Sequence, residues 1–231
     1  MQKAKNPVIS VVVPAYNEAG SIAQTLEQME ATLDSLYLPY EVIVVDDGSI
    51  DKTKQLASGN GAIVISYGTN HGKGHALKIG LARAKGQILV TIDADGSHRP
   101  SDLLKIIKPI LMGTDVVIGS RFLSKNKEIT SKLNILGNNL FNFLIRIITK
   151  KKISDSQSGF RAFKRKVLKG IVLFSEGYDI ETELTIKSLR NGFSIHEEPI
   201  KCDKRTNGES KISYLSDGIS ILKTILKSSF I

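Results

Sequence analysis

Ile88-Leu89-Val90-Thr91-Ile92-Asp93-Ala94-Asp95-Gly96-Ser97 is an apolar run that breaks abruptly into two carboxylates and a glycine. A short run without polar alternation reads as a strand buried on both faces, as in parallel sheets covered by helices. Residues two apart in an extended chain point to the same side, so Asp93 and Asp95 can converge on one point. Like charges held that close resist ionising together. A hard divalent cation such as Mg2+ or Mn2+ relieves the repulsion and suits oxygen ligands. Held by two carboxylates, it keeps open positions for phosphate oxygens, as in a nucleoside diphosphate. Asp and Gly are also common turn residues, so the pair alone reads as readily as a polar strand-to-loop turn.

The same punctuation recurs on both sides of this stretch. Apolar runs at 8–13, 41–45, 62–65 and 115–119 alternate with helical patterns at 20–36, 51–58, 75–85 and 101–111. Pro14 is expected to end the first strand, because proline donates nothing to a central ladder. Gly86 is expected to stop the third helix. Apolar strands alternating with helices predict an α/β fold, a mostly parallel Rossmann-like sheet with helices on both faces. Ligands of such sheets sit beyond the carboxyl ends of the strands, where the polar motifs fall. No repeat or low-complexity linker divides the 231 residues, so one domain is expected.

Charge separates the chain into unlike halves. Residues 1–120 hold 11 Lys/Arg and 12 Asp/Glu, whereas residues 121–231 hold 21 and 11. The net +9 therefore lies in the second half, which faces something anionic or is a solvated surface. Nucleic acid is not expected, since no aromatic stacking motif or helix-turn-helix pattern accompanies the charge. Anionic lipid headgroups and phosphorylated substrates fit better. The single cysteine, Cys202, excludes an internal disulfide and a Cys-based zinc site, and a reducing cytosolic location is the default. The polar start of the chain predicts no signal peptide. No run reaches the ~18 apolar residues of a membrane span.

Two segments past residue 120 are amphipathic instead. Leu133, Leu136, Leu140, Phe143, Leu144, Ile147 and Ile148 recur at helical spacing ahead of Lys150-Lys151-Lys152. Ile219, Leu222, Ile225 and Leu226 repeat the theme beside Lys223 and Lys227. Such helices either complete the core or lie in a membrane interface.

Three further motifs follow successive strands. In V13-P-A-Y-N-E18, Tyr16, Glu18 and the backbone beside Pro14 suit a base and ribose. In D46-D-G-S49, Asp47 can bind base or ribose while Gly48 permits a tight turn. In N70-H-G-K-G-H75, glycines and Lys73 at a helix start suit a phosphate, although the spacing is not that of a Walker A loop. Each alone is also an ordinary turn or cap. Together, at successive strand ends and in this order, they are a strong signal.

The series P-A-Y-N-E, D-D-G-S, N-x-G-K-G and D-A-D-G resembles the family 2 glycosyltransferases of GT-A fold. That resemblance implies inverting transfer of one sugar from a nucleoside diphosphate donor. It assigns Pro14, Tyr16, Glu18 and Asp47 to the nucleoside pocket. It assigns Asp93 and Asp95 to the ribose–diphosphate–metal region, with Asp95 as principal ligand. Some members carry Gln as a further ligand where this chain has Ser97. G119-S-R121, D155-S-Q-S-G-F-R161, E181-T-E183 and R205-T-N-G-E-S-K211 look like the branch acting on polyprenyl (dolichyl) phosphates. The resemblance spans roughly residues 8–213. It implies a nucleotide-sugar donor, with mannose from GDP-mannose slightly ahead of glucose from UDP-glucose, and a polyprenyl phosphate acceptor. Many members have C-terminal membrane helices. Here the expectation is peripheral attachment to the cytoplasmic face of a membrane, with scope for a separate anchoring subunit. Residues 1–120 would then serve the donor, and residues 121–231 the acceptor and membrane interface.

A phosphate acceptor agrees with elementary chemistry. A sugar hydroxyl needs a general base, but a phosphate monoester with a second pKa of ~6 is already anionic near neutrality. It needs cations for positioning, and Arg121, Lys132, Arg161, Arg205 and Lys211 are the candidates. Asp155 would orient an arginine or help the metal region; with a hydroxyl acceptor it becomes the base candidate. His71, His75, His98 and His196 lack zinc spacing, and only His98, beside the D-x-D turn, invites a site role. Competing readings are a polysaccharide or protein acceptor, a sugar nucleotidyltransferase releasing pyrophosphate, and a non-catalytic membrane-binding protein.

Overall fold

The computed structural model describes residues 6–123, 132–203, 205 and 214–228. In chain order the elements are β1 Ile9–Ala15, α1 Ile22–Asp34, β2 Tyr40–Asp46, α2 Thr53–Gly59, β3 Ile63–Ser66, α3 Lys73–Arg83, β4 Ile88–Thr91, α4 Leu103–Leu111 and β5 Val116–Ser120. There follow α5 Lys132–Thr149, β6 Arg161–Lys164, α6 Arg165–Gly170, α7 Ile180–Arg190, β7 Ile195–Pro199 and α8 Tyr214–Lys227. The strands form one sheet in the order β3-β2-β1-β4-β6-β5-β7. All pairings are parallel except those of β6, which runs antiparallel to β4 and β5.

Alternation along the strands fills both faces of this sheet. Val11, Val13, Val42 and Val44 pack with Leu26 and Met29 of α1 and with Ile106 and Ile110 of α4. Val12, Ile43 and Val45 point the other way, to Leu77 and Leu81 of α3 and Leu184 of α7. Each such side chain, fully buried, stabilises the fold by about 1.5–3 kcal/mol. Continuous apolar strands are thus explained by helices on both sides, as the sequence pattern requires.

Three local expectations are corrected. Pro14 lies inside β1, opposite Val45 of β2. The ladder to β4 ends at Val12 and Thr91. Val12 O accepts from Ile92 N and Ala15 O from Asp47 N, so Pro14 turns its missing donor toward the side where pairing has stopped. Helix α3 begins at Lys73, two residues earlier than the pattern indicated, and ends at Arg83, ahead of Gly86. Neither β6 nor β7 was anticipated. β6 is only four residues long, and β7, Ile-His-Glu-Glu-Pro, is a charged edge strand without an apolar run.

The amphipathic segments are helices, and each divides its apolar residues between two surroundings. Ile145, Ile221 and Ile225 form a small core with Ile186 of α7, and Leu144 and Ile148 pack against it. Leu136, Leu140, Phe143 and Ile147 of α5 and Ile219, Leu222 and Leu226 of α8 are exposed. No described helix is long and apolar enough to cross a membrane.

Candidate active site

The carboxyl ends of β1, β2 and β4 open onto one cavity of about 710 Å³. Immediately after β2, Gly48 has φ +76°, and a Cβ there would lie 2.6 Å from the Thr69 carbonyl carbon. Glycine therefore lets the 69–72 loop close over this turn. The Asp47 carboxylate fastens the loop from below, accepting from His71 N and Gly72 N at 2.9 Å each. That contact sets where α3 starts and so where Lys73 projects.

Lys73 stands between two acids from distant parts of the chain. Its Nζ is 2.7 Å from Asp93 Oδ1 and 2.8 Å from Glu181 Oε1 at the start of α7. Tyr178 places its ring centroid 5.7 Å from the same ammonium. Burial pulls the lysine down, but Asp93 and Glu181 outweigh it and hold it above its ordinary value. Burial likewise pushes Asp93 up, and Lys73 and His98 overcome it, leaving the carboxyl well below the usual range. Gly159 makes room for the pair: a Cβ there would lie 2.5 Å from Asp93 Oδ2 and 2.7 Å from Lys73 Nζ.

His98 backs this group. Its Nε2 lies 3.6 Å from Asp93 Oδ2, and Cys202 Sγ is 3.6 Å from its Nδ1. Burial lowers the imidazole, but the Asp93 and Cys202 interactions raise it further, to about 9. His98 is the one histidine whose place beside the D-x-D turn invites a site role, and it does line the cavity.

Asp95, one residue beyond Ala94, faces a different set of groups. Ser97 N and Ser97 Oγ donate to its Oδ1 at 2.9 and 2.6 Å. Arg205 brings Nε to 3.6 Å from Asp95 Oδ2 and donates through Nη2 to Glu18 Oε1 at 2.6 Å. Ser21 Oγ donates to the Ala94 carbonyl at 2.8 Å, tying α1 to the D-x-D turn. One arginine from the C-terminal part of the chain thus joins the motifs after β1 and β4.

Arg121 enters from the end of β5. Its Nε and Nη2 donate to Asp155 Oδ2 and Oδ1, both at 2.8 Å, and its backbone N donates to Oδ2 at 3.0 Å. This fork fixes the guanidinium plane. Burial lowers Arg121 and Asp155 more than compensates, so it stays charged.

Pro14, Tyr16, Glu18, Asp47 and Lys73 all line the cavity. So do Asp93, Asp95, Ser97, Arg121 and Arg205. Two expected residues do not. Asp155 is 0% exposed and lies behind Arg121, both oxygens engaged. Arg161 is 1% exposed and donates to the Ser156 and Ser158 carbonyls and to Thr185 Oγ1. Burial pulls its guanidinium down to about 10. It holds the 156–161 segment from inside, so the expectation of a phosphate contact at Arg161 is corrected. The side chain of Lys132 and the whole of Lys211 lie outside the described residues.

Glu181, within E181-T-E183, also lines the cavity, and nothing local in the sequence connects it with the distant Lys73. Tyr178, Leu136 and Leu140 also line the cavity. Nothing local in the sequence marks Tyr178.

Residues 10–172 match glycosyl transferase family 2. The chain belongs to that family. This family 2 glycosyltransferase is 31% identical to the dolichyl-phosphate beta-glucosyltransferase of Saccharomyces cerevisiae, over 94% of this chain and 73% of that protein. It is 32% identical to the dolichol-phosphate mannosyltransferase of Pyrococcus furiosus, over 88% of this chain and 59% of that protein. Its fold matches glucosyl-3-phosphoglycerate synthase from Mycobacterium tuberculosis, in complex with Mn2+, uridine diphosphate and glucosyl-3-phosphoglycerate. The TM-score is 0.77 at 25% identity, covering 97% of this chain and 81% of that one. The mostly parallel sheet is thus that of the GT-A glycosyltransferases, and the chain is a glycosyltransferase.

Proposed function

We propose that the enzyme transfers a hexose, with inversion, from a nucleoside diphosphate sugar to a polyprenyl phosphate. The observation that carries this reading is the composition of the cavity. Its lining brings together the carboxylates Asp93 and Asp95, the guanidinium groups of Arg121 and Arg205, and the apolar Leu136 and Leu140 of α5. A substrate with a diphosphate, a phosphate and a hydrocarbon chain satisfies all three. The two polyprenyl-phosphate relatives support the acceptor class. We name mannose from GDP-mannose first and glucose from UDP-glucose second; one relative is named for each sugar.

In this reading the nucleoside lies beside Pro14, Tyr16 and Glu18, on the turn that Asp47 secures. Lys73 offers positive charge to the donor phosphates, and Arg205, held at Glu18 and Asp95, offers it to the acceptor phosphate. Arg121, locked by Asp155, orients the acceptor phosphate behind the anomeric carbon. An acceptor oxygen forms the new bond there while the bond to the diphosphate breaks on the opposite face. The acceptor arrives as an anion, so no base is required, which agrees with the occupied Asp155. Among the described residues no three His, Cys, Asp or Glu side chains are grouped to hold a metal alone. The oxygen chemistry of Asp95 and Asp93, with Ser97 beside them, fits Mg2+ or Mn2+ shared with substrate phosphates. Such an ion would supply charge for the leaving diphosphate.

We also read residues 1–231 as one domain, with the donor served by 1–120 and the acceptor and membrane interface by 121–231. The exposed stripes of α5 and α8 would rest peripherally on the cytoplasmic face of a membrane, with or without a separate anchoring subunit. The test is a panel of radiolabelled nucleotide sugars incubated with polyprenyl phosphate and Mn2+ or Mg2+. Label extracted into organic solvent from one donor supports the reading. Label passing only to a water-soluble acceptor overturns it.

A further inference from the structure

Glu197, on edge strand β7, reaches the turn that carries Asp155. Its carboxylate accepts from Ser154 N at 2.9 and 3.0 Å, from Ser154 Oγ at 2.7 Å and from Asp155 N at 3.0 Å. From the other side, Asn138 and Asn142 of α5 donate Nδ2 to the Ser154 carbonyl at 3.0 and 2.8 Å. Asn142 Oδ1 also accepts from Ser156 N at 3.2 Å. Ser154 N, Ser154 O, Asp155 N and Ser156 N are therefore all satisfied by side chains from β7 and α5. A turn held by its backbone has little freedom to tilt, and Asp155 passes that rigidity to Arg121 through three hydrogen bonds.

We infer that Glu197 is a positioning residue for Arg121, acting through the Ser154–Asp155 turn to set the guanidinium that meets the acceptor phosphate. Glu197 itself is not among the cavity-lining residues. A carboxylate is suited to this place because one group accepts several donors at once, and charge-assisted bonds are about twice as strong as neutral ones. Glutamine keeps the size, but with its oxygen in the place of Oε1 its NH2 group faces Ser154 N, from which Oε2 accepts. The consequence for transfer follows because a productive site tolerates only about 0.5 Å of misplacement. The acceptor half of this inference rests on the function proposed above.

The test uses Glu197→Gln and Glu197→Ala in the full chain. Circular dichroism checks the fold, UDP and GDP titrations read the donor site, and a short-chain polyprenyl phosphate reads the acceptor. Glu197→Gln is expected to raise acceptor KM roughly tenfold, equivalent to about 1.4 kcal/mol, with nucleotide Kd within about twofold. In an Arg121→Ala background the same change is expected to add less than about twofold, because the interaction it tunes is gone. Full additivity in that cycle, or an equal loss of nucleotide affinity, overturns the proposal. Should Glu197→Ala unfold, Glu197→Gln carries the test. The Arg121 Nε–H resonance, followed by 15N NMR, reads the clamp without any acceptor: it is expected to shift or broaden in Glu197→Gln, and an unchanged resonance overturns the positioning role. Absence of transfer to polyprenyl phosphate by the unaltered enzyme would instead remove the acceptor reading, leaving the NMR result to decide the clamp.

Discussion

Lys73 Nζ lies 2.7 Å from Asp93 Oδ1, linking the glycine-rich motif after β3 to the first carboxylate of the D-x-D turn. Glu181 completes the contact from α7. The lysine therefore both joins three segments and lets two acids share a small space. Replacing it by Met leaves Asp93 and Glu181 facing one another with only His98, on the far side of Asp93, as a cation. Removing one partner of a buried pair costs about 3–5 kcal/mol, and partial access to water reduces that here. We expect Lys73→Met to lose about 2 kcal/mol in urea unfolding and to weaken nucleotide diphosphate binding. Wild-type stability and affinity together would show that the pair does neither.

Asp95→Asn is expected to keep its fold, because the residue sits beyond a strand end and Ser97 can still donate to the amide oxygen. Activity should fall by about 100-fold or more, since charge stabilisation of the leaving group is a large term. Calorimetry should show Mn2+ binding in the presence of nucleotide in the parent enzyme and its loss in the variant. Unchanged turnover in excess EDTA would remove the metal from the proposed function.

Two arginines treated alike in the sequence should now behave differently. Arg161→Met removes a buried guanidinium and leaves the Ser156 and Ser158 carbonyls without their donor. A loss of about 2–3 kcal/mol of stability is expected, with acceptor KM unchanged in the protein that remains folded. Arg121→Ala should do the reverse, raising acceptor KM by about tenfold or more with a smaller effect on melting temperature. Thermal unfolding and acceptor titration on both variants decide the assignment.

His98 gives a pH signature in the metal-free enzyme. Burial lowers its pKa, and the interactions with Asp93 and Cys202 lift it from 6.5 to about 9. A group raised on folding contributes stability in full below about 6.5 and loses it as pH rises through about 9. Urea unfolding in EDTA should therefore weaken between pH 7 and 10, by on the order of 3 kcal/mol at most. His98→Gln should flatten that slope, and equal slopes in both proteins would exclude the histidine as its source.

The cavity residues that follow β1, β2 and β4 were legible because the apolar pattern marks those strands clearly. Tyr16, Asp47 and Asp95 are found by reading what comes after each run. Lys73 was found as well, although its helix starts earlier than the pattern suggests, because Asp47 pulls the loop onto β2. The residues after β5 were less legible. Arg121 and Arg161 sit in equally suggestive polar motifs, and only the antiparallel strand β6 decides that Arg161 turns inward while Arg121 meets the cavity. Short β6 and charged β7 carry no apolar periodicity, so their places in the sheet depend on long-range pairing. Glu197 was missed for the same reason, since a strand whose middle is the consecutive polar run His196-Glu197-Glu198 reads as solvated surface.

Helix α5 turns adjacent apolar residues to opposite surroundings. Phe143 is 59% exposed, whereas its neighbour Leu144 packs against the small core with Ile145 and Ile186. The two residues therefore separate membrane contact from folding. Each basic residue near an anionic surface contributes about 1 kcal/mol, decaying within a Debye length, and buried apolar side chains add attachment that salt does not screen. The unaltered protein should co-sediment with anionic liposomes at low salt and be only partly released at high salt. Leu140→Ser with Phe143→Ser should keep its circular dichroism and lose the salt-resistant fraction. Leu144→Ser should instead lower the melting temperature, with binding reduced only in proportion to the unfolded protein. A folded Leu140→Ser, Phe143→Ser variant that binds like the parent would exclude this face of α5 as the anchor, and no binding of the parent to any anionic liposome would remove the membrane from the proposed function.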